Sequence, residues 1–430
     1  MADGEQATDG EAESIPPLVA PLGTRAWLKT LAAAWMAQLL SMTGFSFAMP
    51  FLPFFLRELG VGSDSSLRIW SGLVLAAPAM TMAVTAPFWG VLADRVGRRA
   101  MVMRAMFGGA VVVALMGAAP SAGALLALRF LQGAVTGTVS ATNALVSSVA
   151  PAGRAGLSLG LMQTAVFAGN SLGPYLGGLS ADRLGYPMTF HLAGWMLLAG
   201  GGLVAALAEE GPIRNVACAR AAAPGPHGRP GLLAVLRGPG FAAAAGLVFL
   251  MHFTGMVLGP VFPFYVETLV PDHSCVNTET GRLLAVTAFT AALVALPAGW
   301  LADRVGPRPV LVFGTCLAGA LVVPQGFVPA LWILFVLRAA LGLASGTIGP
   351  AMGSFVNRSV PRSSHGTAFG IVQSATSIGF GLGPLAGGAL SAWLGLRSPF
   401  VAVGALQLAF AATAWFALDV RPDRTRAAGR

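Results

Sequence analysis

The sequence predicts an all-α membrane protein with twelve transmembrane helices arranged as two parallel six-helix repeats. Three observations predict it. Of the 430 residues, 55% are apolar and only 10% charged, with a mean hydropathy of +0.73, whereas soluble domains carry about 25% charged residues. Apolar segments recur from Leu31 to Phe416, each about 20 residues long and therefore able to cross ~30 Å of hydrocarbon as a helix. Blocks of sequence also recur at a nearly constant offset of 209 or 210 positions. A soluble enzyme and a secreted domain are excluded. So is a β-barrel, whose spans would be alternating strands of about ten residues.

Taken in order, residues 1–26 are acidic (Asp3, Glu5, Asp9, Glu11, Glu13) and read as a disordered cytosolic tail; a cleavable signal would be basic and then apolar. Residues 27–208 form a first bundle, with spans at 30–56, 70–92, 101–119, 122–144, 158–180 and 187–207. Residues 209–239, with Ala223-Pro224-Gly225-Pro226 and Gly228-Arg229-Pro230-Gly231, read as a cytosolic linker. Residues 240–418 form a second bundle, with spans at 240–267, 280–302, 309–328, 330–355, 366–391 and 397–417, and 419–430 are a basic tail.

Twelve spans return both termini to one side. With that side inside, 19 of the 26 Lys and Arg lie in cytoplasmic segments, which places both termini on the cytoplasmic side. The net charge of +9 is scattered over short loops, so it reads as this positive-inside bias and not as a nucleic-acid footprint. Cys218, Cys275 and Cys316 fall in an inner loop, an outer loop and a span, where no two can pair.

The repeat is explicit. Gly90-Val91-Leu92-Ala93-Asp94-Arg95-Val96-Gly97-Arg98-Arg99 returns as Gly299-Trp300-Leu301-Ala302-Asp303-Arg304-Val305-Gly306-Pro307-Arg308. Arg129, Gly133 and Gly137 return as Arg338, Gly342 and Gly346; Gly169, Gly173-Pro174 and Gly177-Gly178 return as Gly379, Gly383-Pro384 and Gly387-Gly388. Six spans separate the copies, so the halves have the same orientation and are related by an axis along the membrane normal, with a cleft between them.

These blocks resemble the major facilitator superfamily, specifically its twelve-helix drug:proton antiporter group, across essentially the whole chain. Gly90 to Arg99 is similar to the superfamily's G-x-x-x-D-R-x-G-R-R loop, Arg129-Phe130-Leu131-Gln132-Gly133 to its R-x-x-Q-G element, and Gly169 to Gly178 to the signature of exporting antiporters. The resemblance implies the major facilitator fold and a secondary transporter, not an enzyme, that exports small amphipathic compounds (multidrug efflux) by proton antiport with alternating access. It implies no cofactor, no metal and no nucleic acid; the partners are an amphiphile, protons and the lipid bilayer, and the chain acts as a monomer. Alternatives are a dedicated exporter of one endogenous metabolite or a lipid flippase on the same fold. More distant is a membrane-embedded hydrolase, prompted by the G-x-S-x-G pattern at Gly169-Asn170-Ser171-Leu172-Gly173; the counterpart of Ser171 is Gly381, which argues against it.

Candidate site residues follow. Gly90, Asp94, Arg95, Gly97, Arg98 and Arg99, with Asp303, Arg304 and Arg308, form a conformational latch in which Asp94 accepts from the free N–H groups opening a neighbouring helix and pairs with arginines. Arg129 with Gln132, His252 and Arg338 form a coupling set. A mid-span Arg costs about 2.5–3.5 kcal/mol on insertion scales, so both should face the cleft or bond to carbonyls. Without an embedded acid they make the cleft electropositive, favouring neutral, zwitterionic or anionic amphiphiles. His252 is the deep side chain whose ordinary pKa, ~6.5, lies near neutrality; Glu58 and Glu267, at outer helix ends, are the other candidates for the proton. Gly169, Gly173, Pro174, Gly177 and Gly178, with Gly379, Gly383 and Pro384, form small-residue stripes that let helix backbones approach closely. Gln38, Asn143, Gln163, Asn170, Thr254 and Gln373 supply hydrogen bonds to substrate, and Phe47 and Phe51 apolar contact.

Overall fold

Every predicted span is helical in the computed structural model, which describes residues 24–151, 154–210, 241–359 and 365–417. The acidic and basic tails and nearly all of the linker therefore lie outside the described residues. Eleven helices of the described residues are long and apolar enough to cross a membrane. One of them, Ala155–Leu207, turns back at Gly185 (φ 77°, ψ 169°) and supplies two passes, spans 5 and 6. The Ser180 and Thr189 hydroxyls lie 3.1 Å apart, whereas nine residues of straight helix would separate them by about 13 Å.

The connections between spans are short because the helices run past the hydrocarbon. Span 2 covers Asp64–Val96 and span 3 Arg98–Met116, leaving Gly97 alone between them. Span 8 (Val276–Val305) and span 9 (Pro307–Gln325) are likewise separated only by Gly306. Gly97 and Gly306 have φ of 104° and 92°, a region closed to side-chain-bearing residues. That backbone requirement explains the glycine that closes each Asp-Arg-x-Gly block.

The duplication extends to the irregularities. Span 1 is Thr24–Ala48, a 3-10 turn at Met49–Phe51 and a last piece Leu52–Glu58; span 7 is Phe241–Val257 followed by Phe262–Glu267. Pro50 and Pro260 stand at the two breaks, where a missing N–H interrupts the ladder. Span 4 also breaks, into Ala122–Val135 and Thr138–Val149 around Gly137 (φ 114°). Span 10 (Leu331–Ser359) does not. Span 11 is His365–Leu394 and span 12 Ser398–Ala417.

Within each half, the glycine stripes hold one pair of helices together. Span 5 lies so close to span 1 that a Cβ on Gly177 would sit 1.9 Å from the Phe47 carbonyl oxygen; in span 11 a Cβ on Gly387 would sit 1.8 Å from the Val257 oxygen of span 7. The next glycine in each stripe faces the opposite half. A Cβ on Gly178 would meet the Asn277 oxygen of span 8 at 2.3 Å, and one on Gly388 the Arg68 oxygen of span 2 at 2.5 Å.

Candidate functional site: a cleft closed at one end

The halves touch along span 5 with span 8 and span 2 with span 11, but only over part of their length. Beyond Gly178 and Gly388, Gly281 abuts the Pro174 oxygen, Gly72 the Pro384 oxygen, and Gly381 the side chains of Ala79 and Met80. Near the middle, Ser171 Oγ donates to the Ala285 oxygen at 3.2 Å, so the hydroxyl of the G-x-S-x-G pattern is occupied in helix contact. Farther along, Gly90, Gly156, Gly160, Gly349 and Gly353 have open space where a side chain would be, and Gly299 meets just Pro350 of its own half, among the described residues. The cleft therefore opens at the end carrying the two Asp-Arg-x-Gly blocks.

Polar clamps fasten the closed end. Arg57 Nη1 and Nη2 donate to Glu267 Oε1 and Oε2 at 2.7 and 2.9 Å, beside the edge-to-face rings of Phe54 and Phe264 with centroids 5.5 Å apart. In both pairs the partners stand 210 positions apart and are each other's repeat counterparts. Counterparts meet only on the axis relating the halves, so these four residues mark it. To one side, Asp182 accepts from the Thr278 N–H and hydroxyl at 2.7 and 2.6 Å and from Asn277 Nδ2 at 2.7 Å, capping the first turn of span 8. To the other, Arg68 Nη1 donates to the Ser391 oxygen at 2.8 Å, in the last turn of span 11. The reading of the sequence missed Asp182 and the Arg57–Glu267 pair. The pair carried a signal: opposite charges at matched repeat positions.

At the open end a further carboxylate joins the basic cluster. The N–H groups that open span 3, on Arg98 and Arg99, donate to Glu210 Oε1 and Oε2 at 2.8 and 2.9 Å. The carboxylate capping span 3 is Glu210, which follows span 6; the side chain of Asp94 lies outside the described residues. Arg99 Nη2 also reaches the Ala205 oxygen at 2.6 Å. Gly90 and Arg95 are exposed. In the second copy, Asp303 Oδ1 accepts from Ser354 Oγ at 3.4 Å, and Arg304 and Arg308 lie over the rings of Trp300 and Trp415. Glu210→Ala is expected to cost about 1 kcal/mol as a lost helix cap, read as a fall of about one degree in the thermal unfolding midpoint in detergent.

The coupling set is dispersed. Arg129 is 3% exposed; its Nε donates to the Val74 oxygen at 2.9 Å and its Nη1 to Gln132 Oε1. Arg338, 6% exposed, lies under the Phe262 ring with its Cζ 3.6 Å from the centroid. Both guanidinium groups are buried and contact residues of their own halves. His252 engages the Val248 oxygen through Nδ1 at 2.8 Å, packs on Phe380 and faces Gly379 across the contact of spans 7 and 11.

The lining residues divide in two. Gln38 is fully buried, with its Oε1 accepting from Thr142; Phe47 and Phe51 are 3% and 1% exposed, and Thr254 is 2% exposed. These four are packing residues in this conformation, because the breaks in spans 1 and 7 tuck the prolyl turns into the closed end and spans 4 and 12 cover the rest. Gln163, Asn170 and Gln373 are exposed and Asn143 is half-buried; Asn170 Oδ1 accepts from Ser46 Oγ at 2.7 Å. Among the described residues no three His, Cys, Asp or Glu side chains gather as a metal site. In the loop between spans 7 and 8, Asp272 is held below the usual carboxylate range by the Ser274 N–H, so it stays charged near neutral pH and carries no proton there.

The sequence model of the Major Facilitator Superfamily matches residues 34–269 and again 244–430, once for each half. The chain belongs to the major facilitator superfamily. Its curated relatives in the superfamily include the protein named Multidrug resistance protein MdtG from Serratia proteamaculans, 33% identical over 409 residues, covering 93% of this chain and 96% of that protein. The MdtG of Citrobacter koseri is 33% identical over 404 residues, covering 92% and 97%. Solved superfamily structures share the fold. A bacterial homolog of the human lysosomal transporter Spinster superposes with a TM-score of 0.75 at 16% identity over 92% of this chain and 98% of that one. A D-xylose-proton symporter does so with 0.73 at 16% identity, over 91% and 98%. The chain is thus a multi-pass membrane transporter of the superfamily.

Proposed function

We propose that the protein exports small amphipathic compounds across a bacterial inner membrane by proton antiport, with both termini cytoplasmic and a linker over 209–239 joining bundles 27–208 and 240–418. The observation that carries this reading is the cleft, shut by charged and small residues at one end and open at the other, in a chain 33% identical over nearly its whole length to proteins named for multidrug resistance. With the termini inside, the open end faces the cytoplasm, and loading from that side precedes release outside. Gln163, Asn170, Gln373 and Asn143 supply the polar contacts of the cleft, and the Asp-Arg-x-Gly blocks close on each other in the opposite conformation.

Two groups are candidates for the coupled proton. Glu267 accepts the bidentate pair on the axis, so its protonation from outside loosens the closed end; His252 lies on the contact of spans 7 and 11. The test is uptake into proteoliposomes of a cationic, a neutral and an anionic amphiphile, with and without an imposed pH gradient, for the wild type, His252→Gln and Glu267→Gln. Gradient-dependent uptake that fails in one variant supports the reading and names the group. Uptake indifferent to the gradient removes antiport.

A further inference from the structure

The two buried arginines occupy equivalent positions in the duplicated halves, and only one is satisfied. Arg129 spends its donors on the Val74 oxygen and on Gln132, three residues along the same helix. At the counterpart of Gln132 stands Leu341. Among the described residues, Arg338 Nε and Nη2 have no hydrogen-bond partner although both are buried. Those two nitrogens form one edge of the guanidinium, the fork that a carboxylate fits with two parallel bonds.

The surroundings have changed in the same sense. The first half carries Met106 and Leu197, both fully buried, at two positions of its core. Their counterparts in the second half are Thr315 and Gln407. Both line a cavity of about 250 Å³ inside the C-terminal bundle, with Arg338 and Thr254 on its wall and Leu341 and Val322 among its apolar lining. Gln407 Nε2 donates to Thr254 Oγ1 at 3.3 Å, while Gln407 Oε1 is buried without a donor. A buried, unpaired guanidinium is costly unless a counter-charge joins it. A cavity of roughly 150 Å³ already admits a benzene-sized molecule.

We propose that this cavity binds a small aromatic or aliphatic carboxylate bearing an O–H or N–H donor. The carboxylate lies on the Nε–Nη2 edge of Arg338, the donor on Gln407 Oε1 and the apolar body against Val322 and Leu341. The site belongs to the C-terminal half alone and concerns binding, so it stands apart from the export reading.

The probe is radiolabelled 4-hydroxybenzoate, titrated onto the purified full chain in nanodiscs, with neutral 4-hydroxybenzamide and chloride as competitors. Saturable binding is expected, unaffected by the amide and retained at high chloride. Arg338→Gln should weaken it by about tenfold or more, the loss of one bidentate pair. Leu341→Gln reproduces the spacing of Arg129 and Gln132, so it gives the guanidinium a partner within a fold the first half already shows to be sound; it should weaken binding comparably. Equal competition by the amide overturns the proposal, as do wild-type affinity in either variant and complete displacement by chloride, which would make the site one for an inorganic ion. The wild-type competition decides the matter even where a variant does not fold.

Discussion

Valine at position 177 is expected to abolish the folded transporter, whereas valine at position 178 is expected to leave both halves folded and keep them apart. The Cβ position is set by the backbone, so no rotamer relieves its 1.9 Å approach to the Phe47 oxygen; span 5 has to lift off span 1 along their central contact. Lipid offers no hydrophobic drive to bring the helices back, since their association rests on close packing. Gly177→Val should therefore give aggregated protein on size-exclusion chromatography of a fluorescent fusion. The clash at Gly178, 2.3 Å from the Asn277 oxygen, is relieved by moving one half away from the other. Gly178→Val should elute as a single species, and the distance between spin labels at Arg183 and Ser274, which flank the contact, should lengthen. Unchanged distances with normal elution would show that this glycine does not seal the cleft.

Asp182→Ala is expected to shift the same spin-label distance by a different route. Its carboxylate accepts three donors from the start of span 8, all across the halves. Charge-assisted bonds contribute about 1.5–3 kcal/mol each, and partly buried donors left without an acceptor add to the loss. A net change of only about 3 kcal/mol moves a two-state equilibrium by roughly a hundredfold, enough to make the conformation open at this end the populated one. Asp182→Asn keeps one acceptor oxygen without the charge and should fall between. If Asp182→Ala reports the wild-type distance, the clamp does not set the equilibrium.

Hydropathy carried the twelve passes and their order, because a lipid-facing helix has to be apolar over its whole crossing. The duplicated blocks carried the pairing of the halves. Side-chain assignments were less legible, because they depend on which way a helix face turns. Gln38 and Phe51 read as cleft residues by polarity and position, yet both are packed within the fold. Glu210, 112 positions after Arg98, carried no such signal, because it reaches the N–H groups opening span 3 only through the fold. Arg129 and Arg338 already differ in the sequence by Gln132 against Leu341; the rest of their difference lies in residues of other spans, such as Thr315 and Gln407.

The ion pair on the axis bears on how the halves recognise each other. Two copies of the first half docked about that axis would set one Arg57 guanidinium against another; two copies of the second would oppose a pair of Glu267 carboxylates. Each mispairing buys repulsion where the real molecule has attraction. Opposite charges at one matched position thus favour docking of the two unlike halves over either half with a copy of itself.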